Sequence, residues 1–385
     1  MKFSKTIFLV IVFTLVFQAC APQSPDAVVP TTAPPTPTVI STPTLTPTRV
    51  PPFELVPIQM RAAYGFRASW MEVYFTEPTS SSASEASGGL DGPLSAAIVA
   101  ARQSVDVATT SLGLSTIVEA LIRAHSRGVP VRVVMETDNV ADRINPQELR
   151  DAGIPLVDDR RDGTMHNSFL VIDGKEVWTG SVDYTTAGVF RQHNNLIRIF
   201  SEEVAANYAK EFEEMFVNDQ FGTNAVPDTP NPRVTIQDVQ IETYFSPDDI
   251  TVTRLVQLLG EAQESIYFLA YSFTSDDLGT VIRRVAEQGV TVAGVLESSP
   301  LNLESTSQYA AFQDAGLDVR LGNPSTLINH KVLIIDNRIV VTGSYDFTNR
   351  AENQNDENLV IIHSELVAQR FLEEFQRIQE RATPQ

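Results

Sequence analysis

A histidine and a lysine opening an apolar strand, followed by a Gly-Ser corner and a cluster of amides and acids, can together hold an oxyanion. Ile328 to Ile362 carries this set: INHKVLIIDNRIVVTGSYDFTNRAENQNDENLVII. His330 and Lys331 open the run Val332 to Ile335, which ends at Asp336. A β-type turn at Asp336-Asn337 leads into a second strand, Ile339 to Thr342. Gly343 and Ser344 close it, and Asn355, Asp356, Glu357 and Asn358 precede another apolar strand. A cation, a tight corner and polar side chains gathered at strand ends suit phosphate.

The stretch occurs twice. Met165 to Phe200 reads MHNSFLVIDGKEVWTGSVDYTTAGVFRQHNNLIRIF. With Asp173 laid on Asp336, Gly180 falls on Gly343, Ser181 on Ser344, Asp183 on Asp346 and Asn195 on Asn358, without a gap. A duplicated motif predicts two similar halves about a pseudo-two-fold axis, with one site on the axis. One fused chain then suffices for a complete site as a monomer.

Positioning these residues requires strands and helices, and their patterns also recur. The first folded segment starts near Phe53. Trp70 to Thr76 alternates like a strand, and Thr79 to Gly92 reads as a flexible loop. Ala96–Arg102 (helix), Val105–Ser111 (strand), Thr116–Ser126 (helix), Val129–Met135 (strand) and a helix near Pro146–Ala152 lead to the first motif. An amphipathic helix over Glu202–Phe216 follows it. The second half repeats the order: strand Ile241–Phe245, helix Val252–Ala262, strand Ile266–Tyr271, helix Leu278–Glu287, strand Val290–Leu296, a helix near Gln308–Ala315, the motif, and a closing helix Leu366–Glu380. The expectation is an α/β protein with a mixed sheet in each half, halves at 53–216 and 238–385, and a linker at 217–237.

The 385 residues carry a formal net charge of −20, which argues against a broad electrostatic grip on nucleic acid. Residues 1–20 read as a targeting segment: Lys2 and Lys5, a short apolar core from Ile7 to Phe17, then Ala19-Cys20. Cys20 is the only cysteine. This ending resembles a bacterial lipoprotein signal, which implies lipidation at Cys20 and an extracytoplasmic, membrane-anchored protein; the alternative is a secreted one. Residues 21–52 form a Pro/Thr-rich spacer. No cysteine cluster or HExxH pattern suggests a metal, and no cofactor is expected.

The doubled motif resembles that of the phospholipase D superfamily, H-x-K-x4-D followed by G-S/G-x-N/D. The resemblance covers roughly residues 70–380. It implies two phospholipase D-like α/β sandwich halves sharing one site, where one histidine attacks phosphorus to give a phosphohistidine. A second histidine protonates the leaving oxygen, and two lysines with motif Asn and Ser side chains hold the phosphoryl oxygens. Both motifs depart from the pattern. His166 and Asp173 fit, but Ser168 stands at the lysine position; Lys331 and Asp336 fit, but Asn329 stands at the acid histidine. His330 lies between, and strand alternation points it away from the site. Asp183 and Asp346 occupy the usual Asn position, and Asn194 replaces the later Glu that Glu357 supplies in the second half.

The resemblance thus makes His166 the nucleophile and Lys331 the phosphate clamp. Ser168, Asn329, Ser181, Ser344, Asn195 and Asn358 become substrate contacts, and Glu357, Asp173 and Asp336 orienting residues. Other readings stay open: His166 as a non-catalytic ligand contact or structural remnant, Lys331 as an internal partner of Asp183, Asp346 or Glu357, and His193 as a rescuing group from its loop. Three functions follow as expectations: a phosphodiesterase acting on phospholipids, an inactive binding protein with the same cleft, or a nuclease-type phosphodiesterase.

Overall fold

The computed structural model describes residues 54–140 and 144–383. The targeting segment, Cys20 and the Pro/Thr-rich spacer lie outside the described residues. In the first half the strands are β1 (Val56–Gln59), β2 (Ala63–Arg67), β3 (Met71–Thr76), β4 (Val105–Thr109), β5 (Val131–Met135), β6 (Leu156–Asp158), β7 (Ser168–Ile172), β8 (Glu176–Gly180), β9 (Gln192–His193) and β10 (Asn195–Phe200). In the second they are β11 (Arg233–Ile236), β12 (Val239–Ser246), β13 (Ser265–Ala270), β14 (Thr291–Leu296), β15 (Asp318–Leu321), β16 (Leu327–Ile328), β17 (Lys331–Ile335), β18 (Ile339–Gly343) and β19 (Glu357–His363). The first large sheet runs β1-β2-β3-β10-β8-β7-β4-β5-β6 and the second β11-β12-β19-β18-β17-β13-β14-β15. Both are mixed: β4-β5-β6 and β13-β14-β15 are parallel, and the remaining pairs antiparallel. The expected α/β sandwich halves, doubled about a pseudo-two-fold axis, are therefore present.

Helices cover both faces of each sheet, which is why β7 and β17 are unbroken apolar runs rather than alternating ones. Helices α1 (Ser81–Ser84), α2 (Asp91–Ala100), α3 (Ser115–Ser126), α4 (Ile144–Asp151), α5 (Thr186–Phe190) and α6 (Glu202–Phe216) belong to the first half. The second half holds α7 (Thr251–Gly260), α8 (Asp276–Glu287), α9 (Tyr309–Asp314), α10 (Asn349–Asn353) and α11 (Glu365–Gln379). The outer helices enclose a separate apolar core in each half. α6 and α11 instead lie in a central core shared by both. Tyr208 of α6 packs edge-on against Phe245 of β12, and Phe75 of β3 packs edge-on against Phe371 of α11. Each central helix thus buries aromatic surface against the opposite half, and the two halves fold as one body.

Three local expectations are corrected. Thr79 to Gly92 is not a flexible loop: the Ser80 hydroxyl caps α1 by accepting from the Ala83 N–H at 3.2 Å, and the Ala62 N–H donates to Gly88 O. α2 begins at Asp91, well before Ala96, because Pro93 sits in its first turn, where no N–H partner is required. The 217–237 segment ends in an edge strand, β11, paired with β12. Strands β1 and β2 had no clear signature in the sequence. Gly65 interrupts β2 because a Cβ there would stand 2.2 Å from Val73 O.

Candidate active site

Residues related by the offset from Asp173 to Asp336 occupy matching places around the axis. Asp173 and Asp336 adopt positive φ at the β7-β8 and β17-β18 turns. Their carboxylates accept the N–H groups of Arg102, Gln103 and Ser104, and of Gln263, Glu264 and Ser265. They fix the turn to the start of β4 or β13, at the strand ends remote from His166 and Lys331. Gly180 and Gly343 have φ of 149° and 153°, and a Cβ at either would strike the carbonyl of Asn195 or Asn358.

The histidine stretch of each half is stitched to the other half. β16 pairs in parallel with β9, and its counterpart is a parallel bridge between Met165 and Asp356. The His166 N–H donates to Asp356 O at 3.0 Å, and the Asn329 N–H to His193 O at 2.9 Å. This crossing sets His166 of the first half beside Glu357 of the second. His166 Nδ1 lies 2.8 and 2.9 Å from the two Glu357 carboxylate oxygens. The Ser344 hydroxyl and the Asn355 amide donate to the same carboxylate at 2.8 and 3.1 Å. The imidazole's Nε2 has no partner among the described residues, and the side chain is 23% exposed. Burial alone would lower the His166 pKa, but the Glu357 carboxylate, helped by Asp346 and opposed by Lys331, raises it to about 9.

The counterpart of this pair is Asn329 with Asn194. Asn329 donates its two amide protons to Ser181 O and Asn194 Oδ1, at 2.9 and 3.0 Å. Its own Oδ1 accepts from Lys331 Nζ at 2.7 Å. The Lys331 ammonium also donates to Asn329 O, lies 3.7 Å from Asp346 Oδ1, and stands 5.3 Å over the Tyr271 ring. At the equivalent place in the first half, the Ser168 hydroxyl turns inward to Val182 O at 2.6 Å.

His166, Glu357, Lys331 and Asn329 therefore meet in one place. The other residues read as substrate contacts are placed differently. A serine hydroxyl has one proton to give; Ser181 gives its own to Asn194, Ser344 to Glu357 and Ser168 to Val182. Asn195 and Asn358 are fully buried and brace the axis. Asn195 Oδ1 accepts from Thr342 and its amide meets His330, while Asn358 accepts from Thr179 and donates to Asn167. His330 points away from the cleft, as alternation requires, with Nε2 3.2 Å from Glu374. Asn167 and Glu211 repeat that contact in the first half. Burial lowers the His193 pKa to about 3, so this residue is neutral, with Nε2 3.2 Å from the Thr326 hydroxyl.

Sequence reading named Asn355 only as part of the amide-acid cluster, and missed Tyr271 and the Glu211/Glu374 pair. The last was available, because Glu211 and Glu374 share the offset that relates Asp173 to Asp336. Among the described residues, Glu211, Glu214 and Asp248 are the carboxylates close enough to share a cation, and burial raises both Glu214 and Asp248 to about 7.

The family model described as "Cardiolipin synthase, PLD-like domain" matches twice, at residues 94–216 and 255–379. A protein named phospholipase D from Rickettsia typhi is 32% identical over 39% of this chain and 74% of its own length. Human mitochondrial cardiolipin hydrolase is 32% identical over 34% of this chain, and the match spans about half (52%) of that relative. A crystal structure of phosphatidylserine synthase from Haemophilus influenzae superposes with a TM-score of 0.60 over 77% of this chain and 85% of that one, at 13% identity, a likeness of fold.

Proposed function

The chain belongs to the phospholipase D superfamily, and from that premise we propose that it is a phosphodiesterase that hydrolyses phospholipid headgroup esters through a phosphohistidine on His166. The observation that carries the reading is the His166–Glu357 pair with Nε2 left open beside Lys331. Family membership supports phosphodiester chemistry, and the names of the relatives, phospholipase D and cardiolipin hydrolase, support a lipid substrate.

In the proposed sequence, neutral His166 attacks phosphorus through Nε2. Glu357 holds the Nδ1 proton, fixing the tautomer and balancing the positive charge that forms on the ring. The bond from phosphorus to the leaving oxygen breaks as the P–N bond forms. Water then displaces the histidine and completes hydrolysis. Lys331 lies against the same cleft, where its ammonium balances negative charge building on the phosphoryl oxygens. In this proposal Cys20 anchors the protein by a lipid on an extracytoplasmic membrane face, with the Pro/Thr-rich spacer holding the enzyme off the surface.

Residues 53–385 would be given a fluorescent phospholipid and an activated aryl phosphodiester, with His166→Ala as the control. Turnover lost in His166→Ala is expected. A second reading, a binding protein with an inactive cleft, is favoured by the internally satisfied Asn329–Asn194 pair. It would lead if the unaltered chain turned over neither ester and Ser168→Lys with Asn329→His together conferred activity.

A further inference from the structure

The reaction just proposed needs a proton for its leaving oxygen, and Asn329 cannot supply one. We infer that Asp183 is the general acid: its carboxyl group protonates the leaving oxygen in place of the absent second histidine. This inference rests on the phosphodiesterase reading and adds a residue to it.

Geometry places Asp183 on the correct side of the cleft. Asp183 follows Ser181 by two residues, and Ser181 O is bonded to the Asn329 amide at 2.9 Å. Its symmetry mate Asp346 follows Ser344, whose hydroxyl bonds Glu357 beside His166. Asp346 acts on the His166 ring, and by the offset that relates the halves Asp183 stands to Asn329 as Asp346 stands to His166. The Asp183 backbone is held in place: its carbonyl accepts from the Thr185 N–H at 2.7 Å and closes over Gly188, where a Cβ would stand 2.2 Å away.

The two carboxyl groups differ in their counter-ions. Asp346 has the Lys331 ammonium at 3.7 Å from its own half. The residue equivalent to Lys331 in the first half is Ser168, and its hydroxyl is committed to Val182 O. Asp183 therefore lacks the lysine its counterpart has, and its carboxyl makes no hydrogen bond among the described residues. Burial raises its pKa, the charges of His166 and Lys331 across the cleft oppose the rise, and Asp346 adds to it. The Tyr271 phenol also faces this side of the cleft, with Asp346, Glu297 and Asp183 as its charged neighbours. The exchange of lysine for Ser168 thus has a chemical consequence: it leaves a carboxyl group with no lysine of its own half on the side of Asn329, the position at which the resemblance places the second histidine.

The step balances. His166 Nε2 forms the P–N bond, the P–O bond to the alcohol breaks, and the Asp183 proton passes to that oxygen. In the second step water attacks phosphorus and its proton returns to Asp183, as the P–N bond breaks.

The test compares the unaltered chain, Asp183→Asn and Ser168→Lys on a phospholipid or alkyl phosphodiester, which needs an acid, and on an aryl phosphodiester, whose leaving group does not. Asp183→Asn should lose about 10²–10⁴-fold on the alkyl ester and little on the aryl ester. Ser168→Lys places a cation beside Asp183, holds it ionised and should give the same selective loss. Equal effects of Asp183→Asn on both esters, or none, in an otherwise active protein would overturn the assignment and leave the phosphodiesterase reading standing. Absence of turnover by the unaltered chain on both esters would overturn both.

Discussion

His166 is the residue on which the chemistry turns, and its protonation sets a pH dependence. Its pKa of about 9 lies above the ordinary histidine value, so the imidazole is mostly cationic at neutral pH and only a small fraction can attack. With an aryl ester, which makes no demand on an acid, turnover should rise about tenfold per pH unit and level off near pH 9. Glu357→Gln removes the carboxylate that raises the pKa and leaves the burial that lowers it. The inflection should then move below that of free histidine, while the plateau rate falls because the ring loses its charged partner. A pH–rate profile of both proteins on one substrate checks the sign. An inflection that stays near 9 in Glu357→Gln would exclude Glu357 as the cause.

At the scale of elements, the site exists because β9 and β16 cross between halves and α6 and α11 close the axis. His330, which begins the apolar run in sequence, belongs to this framework. It joins Asn195 to Glu374, and Glu374 is itself held at about pKa 2 by His330 and Arg377 against the opposing effect of burial. His330→Ala removes one partner from each of two buried polar groups, the Asn195 amide and the charged Glu374 carboxylate, and should cost about 1–3 kcal/mol in denaturant unfolding. His330→Asn should recover part of that, since Asn167 fills the equivalent place against Glu211. The same pairing logic applies to Asn329 and Asn194, which replace a histidine and its carboxylate together. In an Asp183→Asn background, Asn329→His with Asn194→Glu should restore alkyl-ester turnover by at least about tenfold, and Asn329→His alone should restore less. A single exchange that rescued as well as the pair would mean the carboxylate is dispensable there.

At the scale of the molecule, the working pair is split across the axis: His166 comes from the first half and Glu357 from the second. The central core is shared in the same way, with Tyr208 on Phe245 and Phe75 on Phe371. Cutting the chain within 217–227 and expressing the pieces separately should expose these aromatic faces. Neither piece should turn over the aryl ester, and refolding them together should restore activity, which sedimentation and turnover of the mixture would report. Activity in either piece alone would contradict a composite site. Among the described residues, no helix is long and apolar enough to cross a membrane.

The doubled motif, the order of strands and helices in both halves, and the structural roles of Asp173 and Asp336 were legible in the chain, because apolar runs and turn residues act over a few neighbours. Alternation alone turned His330 away from the cleft. Where local chemistry was ambiguous the reading failed: the helix expected from Ala96 begins at Asp91, and Thr79 to Gly92 looked like a loop and carries a helix. Composition also left open whether Glu357 would serve its own half or the other. That depended on long-range pairing, with the Asp356 carbonyl accepting the His166 N–H from across the axis. The same holds for the serine hydroxyls and for Asn195 and Asn358. Residue type marked them as able to meet a phosphate, but a hydroxyl gives its proton once, and only tertiary packing decided that Asn194, Glu357 and Val182 would receive it.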